Sequence, residues 1–405
     1  MFDVIERTAG ASLGANAEQI VIRGVPAAGL GGGAPVITTS IDGALIDAGR
    51  FSGNALQSTW DLDQIEVLRG PQSTQTGRNA LAGAVVIRSA DPVHDLEIKA
   101  RAEVGNGDTL EGAFAVNVPL VEDRLALRVS LDRQQTDGFV KNITLGGADV
   151  DDRADTTLST SLLFEPTEDF SAIFKSTRIE TDSSANGPPI QGARFPDSRI
   201  AIASFPEREI GTFNAGNLRL GYDVTDAFRL ESETTISQSD TLTNTDFDFT
   251  EEPLAIFIND QNVRAIEQEI KLIYEGDGVS AVLGGFFAHQ ETEFVSDSIF
   301  PANLLITTAP PNVTLVALQE INATRTNFAA FGEAEIELLP RLSLLAGLRY
   351  DRQINEDAQN TLVTPPLLPS SSGGGKATFD AFLPKVGLAF DITEDITLGA
   401  TAQRA

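Results

Sequence analysis

The chain has 405 residues and is 41% apolar, enough to build a large folded core and too much for a disordered polymer. It holds no cysteine and two histidines, His94 and His289, which removes disulfide scaffolds, thiolate metal sites, cysteine nucleophiles and most histidine chemistry together. With 58 acidic against 29 basic residues the net charge is -29, which excludes a protein that wraps nucleic-acid phosphates.

No uncharged apolar run reaches the roughly 18 to 20 residues that a membrane-crossing helix needs, a test to which an alternating β-barrel is blind. Met1 is followed by neither the basic start nor the apolar run of a secretion signal, and Thr397 to Ala405 reads as an alternating strand cut short. Both ends are expected to be truncated.

In chain order, Phe2 to Thr8 reads as a short helix and Glu18 to Arg23 as a strand stopped by Gly24. A glycine-rich stretch over 28 to 34 follows, then a strand over Val36 to Ile41, a turn at Asp42-Gly43, and strands over Asp61 to Gly70 and Ala84 to Ser89. Residues 1 to 95 are thus expected to form a compact α+β unit. From 96 onward the pattern becomes about thirteen alternating strands, starting near 96, 111, 124, 155, 169, 213, 227, 265, 279, 324, 341, 378 and 395. Short turns such as Val121-Glu122-Asp123-Arg124, Gly276-Asp277-Gly278 and Leu339-Pro340-Arg341 alternate with long polar loops near 136–154, 182–212, 241–264, 295–323 and 356–377. An up-and-down barrel with tight turns at one rim and long loops at the other has this rhythm.

The strands are two-faced. Glu267, Glu269 and Lys271 share one side, with Ile266, Ile270, Leu272 and Tyr274 on the other; Arg349 and Asp351 oppose Ala346, Leu348 and Tyr350. Period two alone fits a soluble sandwich as well as a membrane barrel, but thirteen strands exceed the usual sandwich of about seven to nine. One Trp and three Tyr form a thin aromatic girdle, which the 23 Phe can supplement.

Ile65-Glu66-Val67-Leu68-Arg69-Gly70-Pro71-Gln72-Ser73-Thr74, followed by Gly77 to Ile87, resembles the plug signature of TonB-dependent outer-membrane receptors. Ile22-Arg23-Gly24 and Ser40-Ile41-Asp42-Gly43 stand in the matching order. Phe331-Gly332-Glu333, Ala346 to Asp351 and Pro384 to Leu388 are similar to the family's barrel strands. The resemblance implies a mainly β protein: an antiparallel transmembrane β-barrel over 96–405, about 13 of about 22 strands, with an α+β plug over 1–95 in its lumen. It implies import of a scarce ligand across the outer membrane, most simply a ferric siderophore, with cobalamin and oligosaccharides open as alternatives. The partners it implies are the TonB–ExbB–ExbD complex, whose contact segment is not in this chain, and outer-membrane lipid. A non-transporting surface or secreted β-protein, adhesive or carbohydrate-binding, is the competing class.

By the same resemblance, Arg23 and Arg69 would face the carboxylates Glu269 and Glu333 on the barrel wall, a reversible charged seam. Arg50 and Phe51 would meet an anionic, aromatic ligand at the plug apex. The glycine-rich 28–34 stretch has no following helix and no terminal Lys-Ser/Thr, so it reads as an apical loop and not a phosphate cradle. Asp149, Asp151, Asp152 and Asp155 carry oxygens at calcium-like spacing but lack the glycine of an EF-hand loop, and an acidic solvated loop is the simpler reading. His289 is expected to pack or to line the lumen. No nucleophile, base and orienter can be assembled around either histidine, so neither a catalytic site nor a cofactor is expected.

Overall fold

The computed structural model describes residues 5, 7–13, 20–27, 37–46, 58–69, 83–184, 199–246, 250–252, 254–306, 313–393 and 396–404. Seven short strands come first: β1 (Ala11–Leu13), β2 (Ile20–Ile22), β3 (Val25–Pro26), β4 (Ile37–Ile41), β5 (Ala44–Ile46), β6 (Leu62–Arg69) and β7 (Gly83–Ser89). The first three make one small sheet and the rest a second, in the order β5-β4-β7-β6, with β4 and β7 parallel. Two tight hairpins punctuate them. Arg23-Gly24 (φ 51° and 80°) joins β2 to β3 and Asp42-Gly43 (φ 47° and 81°) joins β4 to β5; both residues of each pair are left-handed, as a two-residue turn between right-twisting strands requires. The expected Phe2 to Thr8 helix falls mostly outside the described residues, as do the 28–34 stretch, Arg50, Phe51 and the Gly70 to Ala82 part of the signature.

The remaining strands are β8 (Glu97–Gly105), β9 (Thr109–Val121), β10 (Leu125–Thr136), β11 (Lys141–Asn142), β12 (Ala148–Asp149), β13 (Arg153–Thr167), β14 (Phe170–Ser183), β15 (Ile200–Ala201), β16 (Arg208–Thr225), β17 (Phe228–Asp246), β18 (Ile256–Gly276), β19 (Val279–Pro301), β20 (Thr314–Leu339), β21 (Leu342–Thr364), β22 (Ser371–Thr393) and β23 (Ile396–Gln403). The short β11, β12 and β15 form a loop sheet of their own. The other thirteen make one antiparallel wall in sequence order, with β8 and β23 at its edges. Their number agrees with the thirteen read from the sequence, and nine begin within two residues of the expected starts, whereas β16, β18, β20 and β22 begin 5, 9, 10 and 7 residues earlier.

Three of the five long loops are much shorter than expected because the strands run on: β17 and β18 pair as far as Asp246 and Ile256, and β20 and β21 as far as Val316 and Thr364. Beyond the apolar band both faces of a strand are polar, so alternation disappears while the backbone ladder continues. Period two marks only the part of a strand that separates two solvents.

The faces divide as the sequence reading required. Lys175, Thr177 and Ile179 on β14, and Asn217 and Phe213 on β16, are buried on the inner side. On the outer side Ile266, Ile270, Leu272 and Leu348 are exposed, at 42, 49, 38 and 51%, and among the described residues no second sheet packs against them. A wide exposed apolar surface of this kind belongs in lipid and argues against the soluble β-protein. The wall's inner side and the plug share one core. Ile20, Ile22, Ile37, Ile41, Ile46, Val85 and Ile87 cluster with Ile179 and Phe213 of the wall.

His289 departs from expectation. Its register against Ile266 and Thr326 puts it on the outer face, where Nδ1 lies 2.9 Å from the Thr326 hydroxyl and Nε2 3.4 Å from Glu291. The neighbouring Phe286 and Phe287 point to opposite sides, so only the strand register says which one His289 follows.

Candidate functional site: the seam between plug and wall

The hairpin geometry at Asp42-Gly43 projects the Asp42 carboxylate toward β14. Its oxygens accept from the Ser89 amide (3.0 Å) and hydroxyl (2.7 Å), and Lys175 Nζ lies 3.1 Å from Oδ1. Lys175 donates also to the Ser89 carbonyl (2.7 Å) and reaches Asp91 at 2.8 Å. Both side chains of the Lys175–Asp42 pair are almost fully buried, at 4 and 8% exposure. A buried ammonium is tolerable only with such a full set of acceptors.

A second latch lies further along the plug. Arg128 on β10 holds Asp61 through Nε (2.8 Å) and through Nη2, and its Nη1 reaches Glu97 at 3.0 Å. Asp61 sits at φ 56°, immediately before β6. Beside it, Trp60 donates to the Phe114 carbonyl (3.1 Å) beneath the Arg101 guanidinium, 5.2 Å from the ring centre. The segment leading into β8 is threaded on Asn117, whose amide donates to the carbonyls of Val93 and Asp95 (2.7 and 2.6 Å) and accepts from the Val93 amide. His94 pairs with Glu165 at 2.8 Å.

Toward β16–β18 the seam changes character. Gly43 approaches so closely that a Cβ there would stand 2.8 Å from Glu233 Oε1 and 3.1 Å from Asn217 Nδ2. Beyond it opens a polar cavity of about 380 Å³ between Asp63, Glu66 and Arg88 of the plug and Arg219, Glu233, Glu267, Glu269 and Lys271 of the wall. Water-sized space lined by both charge signs lets these groups stay solvated.

Among the described residues no contact joins Arg23 or Arg69 to Glu269 or Glu333. Arg69 donates to the Ala9 carbonyl (2.8 Å) inside the plug, and Arg23 sits at the β2–β3 turn. Glu269 pairs with Lys271 (2.7 Å) and Glu333 with Lys385 (3.0 Å), each within the wall. The described seam runs with the opposite polarity: acids on the plug side, Asp42, Asp61 and Asp91, meet bases on the wall, Lys175, Arg128 and Arg219. Asp42 was legible as a turn residue. Lys175 and Arg128 were single cations on inward faces, and nothing in one sequence says which plug carboxylate such a residue meets.

The four loop aspartates are each engaged. Asp149 binds Lys141, Asp151 accepts from the Phe139 and Val140 amides, Asp152 takes Arg208 and Ser184, and Asp155 takes Arg153. The Asp149 carboxylate holds the Lys141 ammonium above its ordinary range. Among the described residues no group of three or more His, Cys, Asp or Glu side chains is arranged to hold a metal.

Comparison with known proteins agrees with this architecture. A family model described as TonB dependent receptor-like, beta-barrel matches residues 152–405, and one described as TonB-dependent Receptor Plug Domain matches 1–84. The catecholate siderophore receptor Fiu of Escherichia coli K12 is 32% identical over 91 residues, 22% of this chain and 12% of Fiu. The pesticin receptor of Yersinia enterocolitica is 29% identical over 116 residues, 29% of this chain and 17% of that protein. Among solved structures, the ferric yersiniabactin uptake receptor FyuA from Yersinia pestis superposes with a TM-score of 0.84 at 19% identity, over 99% of this chain and 61% of FyuA. The copper transporter OprC superposes at 0.70 with 15% identity, over 99% of this chain and 61% of OprC.

Proposed function

The chain belongs to the TonB-dependent receptor family, and from that premise we propose that it acts in the outer membrane as a plug-gated importer of a ferric siderophore. The family consists of receptors and transporters and not enzymes. One observation carries the reading: the plug's apolar core is continuous with the inner face of the wall, so the N-terminal unit occupies the space a solute would cross. We take residues 1–95 as the plug and 96–405 as the wall.

In this reading the ligand meets the long-loop side, where Arg50 and Phe51 offer a cation and an aromatic face. Pulling on the plug by the TonB–ExbB–ExbD complex then breaks the two latches. Arg23, Arg69, Glu269 and Glu333 exchange partners as the plug shifts, because Glu269 already lines the same cavity as Glu66 and Arg88. Charged pairs suit such a seam: each holds register while dry and weakens once water enters.

The siderophore assignment leans on the names of Fiu and FyuA, and the likeness to a copper transporter shows that this fold does not choose the ligand. Equilibrium dialysis of the detergent-solubilised chain against ferric catecholate, ferric hydroxamate, cupric ion and cobalamin tests it. Retention of one ferric chelate, weakened by Arg50→Ala, is expected. Retention of cupric ion or cobalamin alone overturns the siderophore reading.

A further inference from the structure

The outer face of the wall carries a groove that import does not use. In β18–β21 the register sets outward side chains in two rows. One row is Gln268, Phe287, Phe328 and Arg352; the next, two residues nearer the short turns, is Ile270, Gly285, Ala330 and Tyr350. Gly285 and Ala330 are paired neighbours and leave a floor almost without side chains between large walls. Phe287 and Phe328 close its upper side, with ring centres 5.3 Å apart. The resulting groove has a volume of about 440 Å³. An apolar slot of this size with a single cation at its mouth is the form of a lipid site.

The cation is Arg352. It is exposed, and its Asp380 contact is long, 4.0 Å, because that carboxylate already accepts from the Tyr350 hydroxyl at 2.6 Å. Its guanidinium donors therefore remain available to a second anion. Arginine recurs on this face: Arg133, Arg264 and Arg352 each stand two residues to the long-loop side of an apolar outward residue, Leu131, Ile266 and Tyr350, with Ile258 and Ile354 further out on β18 and β21. Acidic residues outnumber basic ones two to one in this chain, yet on three strands an arginine takes the outward position next to such an apolar residue. A cationic border meets phosphate where a leaflet's headgroups begin.

We propose that the Gly285–Ala330 groove seats one acyl chain of a phosphate-bearing lipid from the long-loop leaflet, with Arg352 binding the phosphate. The proposal rests on the reading that this face meets lipid. Gly285 is the controlling position: a Cβ there meets only the Ala329 carbonyl at 3.9 Å, so Gly285→Leu fills the groove while leaving the strand and its apolar surface intact.

The test places the full chain in nanodiscs containing either a phosphatidic acid or a diacylglycerol with the same photoreactive acyl chain, and maps the labelled peptides. Phosphatidic acid is expected to label the 268–290 and 326–352 peptides about fivefold more than diacylglycerol, the factor that one interfacial arginine supplies. Arg352→Gln should erase that preference and Gly285→Leu the labelling itself, with retained strand signal by circular dichroism as the folding control. Equal labelling by the two lipids, label spread evenly over the outer wall, or labelling unchanged by Gly285→Leu overturns the proposal. The readout does not depend on the imported ligand: a chain that binds no ferric siderophore and still labels here supports the groove, and one that binds siderophore without labelling refutes it.

Discussion

Against β10 and β14 the plug is pinned by buried charge pairs, Asp61–Arg128 and, at the margin of the seam cavity, Asp42–Lys175, with Asn117 holding the strand that leaves it. Against β16–β18 the same plug faces a cavity whose ions pair mostly within their own side, as Lys271 does with Glu269. The contrast separates two jobs. Burial makes a charge pair costly to break from one side, so the first region fixes the plug's position. The second already has room for water between plug and wall, so separating them there exposes little that is new.

The largest expected effect therefore comes from breaking a latch on one side only. Lys175→Met leaves Asp42 and Ser89 buried without their cation, which destabilises plug docking by about 3 to 5 kcal/mol. Limited proteolysis should then cut within residues 1–95 while β9–β22 stay protected. Equal resistance of the variant would mean that the latch is decorative. The Lys175→Met, Asp42→Leu pair should recover much of the loss, since two apolar partners leave no orphaned charge.

Next in size is a charge on the outer face. Leu348→Arg should destabilise the wall by about 2 to 4 kcal/mol in vesicles, the range for a cation within a bilayer's apolar band, and by far less in detergent micelles that adapt to it. Urea titrations in the two media measure the difference. A null difference would return the apolar face to water and break the comparison at its root.

A smaller effect is expected at the point where the two regions meet. Gly43 lies at φ 81°, and Ala there would add about 1 kcal/mol of backbone strain and push against Glu233. Gly43→Ala should loosen the plug as read by the same proteolysis, and trimming the obstacle with Glu233→Ala should restore part of the loss.

Much of this was legible in one sequence, and the boundary of legibility has a physical form. Thirteen strands, nine of their starts and their two faces follow from alternation, because lipid on one side and a packed lumen on the other impose it on residues such as Ile266 to Tyr274. The Asp42-Gly43 turn was readable because two left-handed residues in succession need that chemistry. Lys175 and Arg128 were not, since each sits on a separate strand more than 60 residues from its partner, and only the docking of two sheets brings them together. The extension of β17–β21 beyond the bilayer was hidden for the converse reason: where both faces meet water, a strand carries no alternating signature.

The smallest expected effect lies on the cavity side, and it sharpens the comparison most because it is nearly nothing. Glu269 is 20% exposed and paired with Lys271 on its own strand, with Glu231, Glu233 and Glu267 close by. Removing its charge by Glu269→Gln relieves repulsion from these carboxylates as it weakens the bond to Lys271, so the two contributions oppose each other and the net change in plug docking should stay within about 1 kcal/mol. Proteolysis of residues 1–95 and urea midpoints should be unchanged within that margin, at low and at high salt. A loss as large as that from Lys175→Met would mean that the cavity side bears the plug as firmly as β14 does, and the division between a pinned side and a yielding side would not stand.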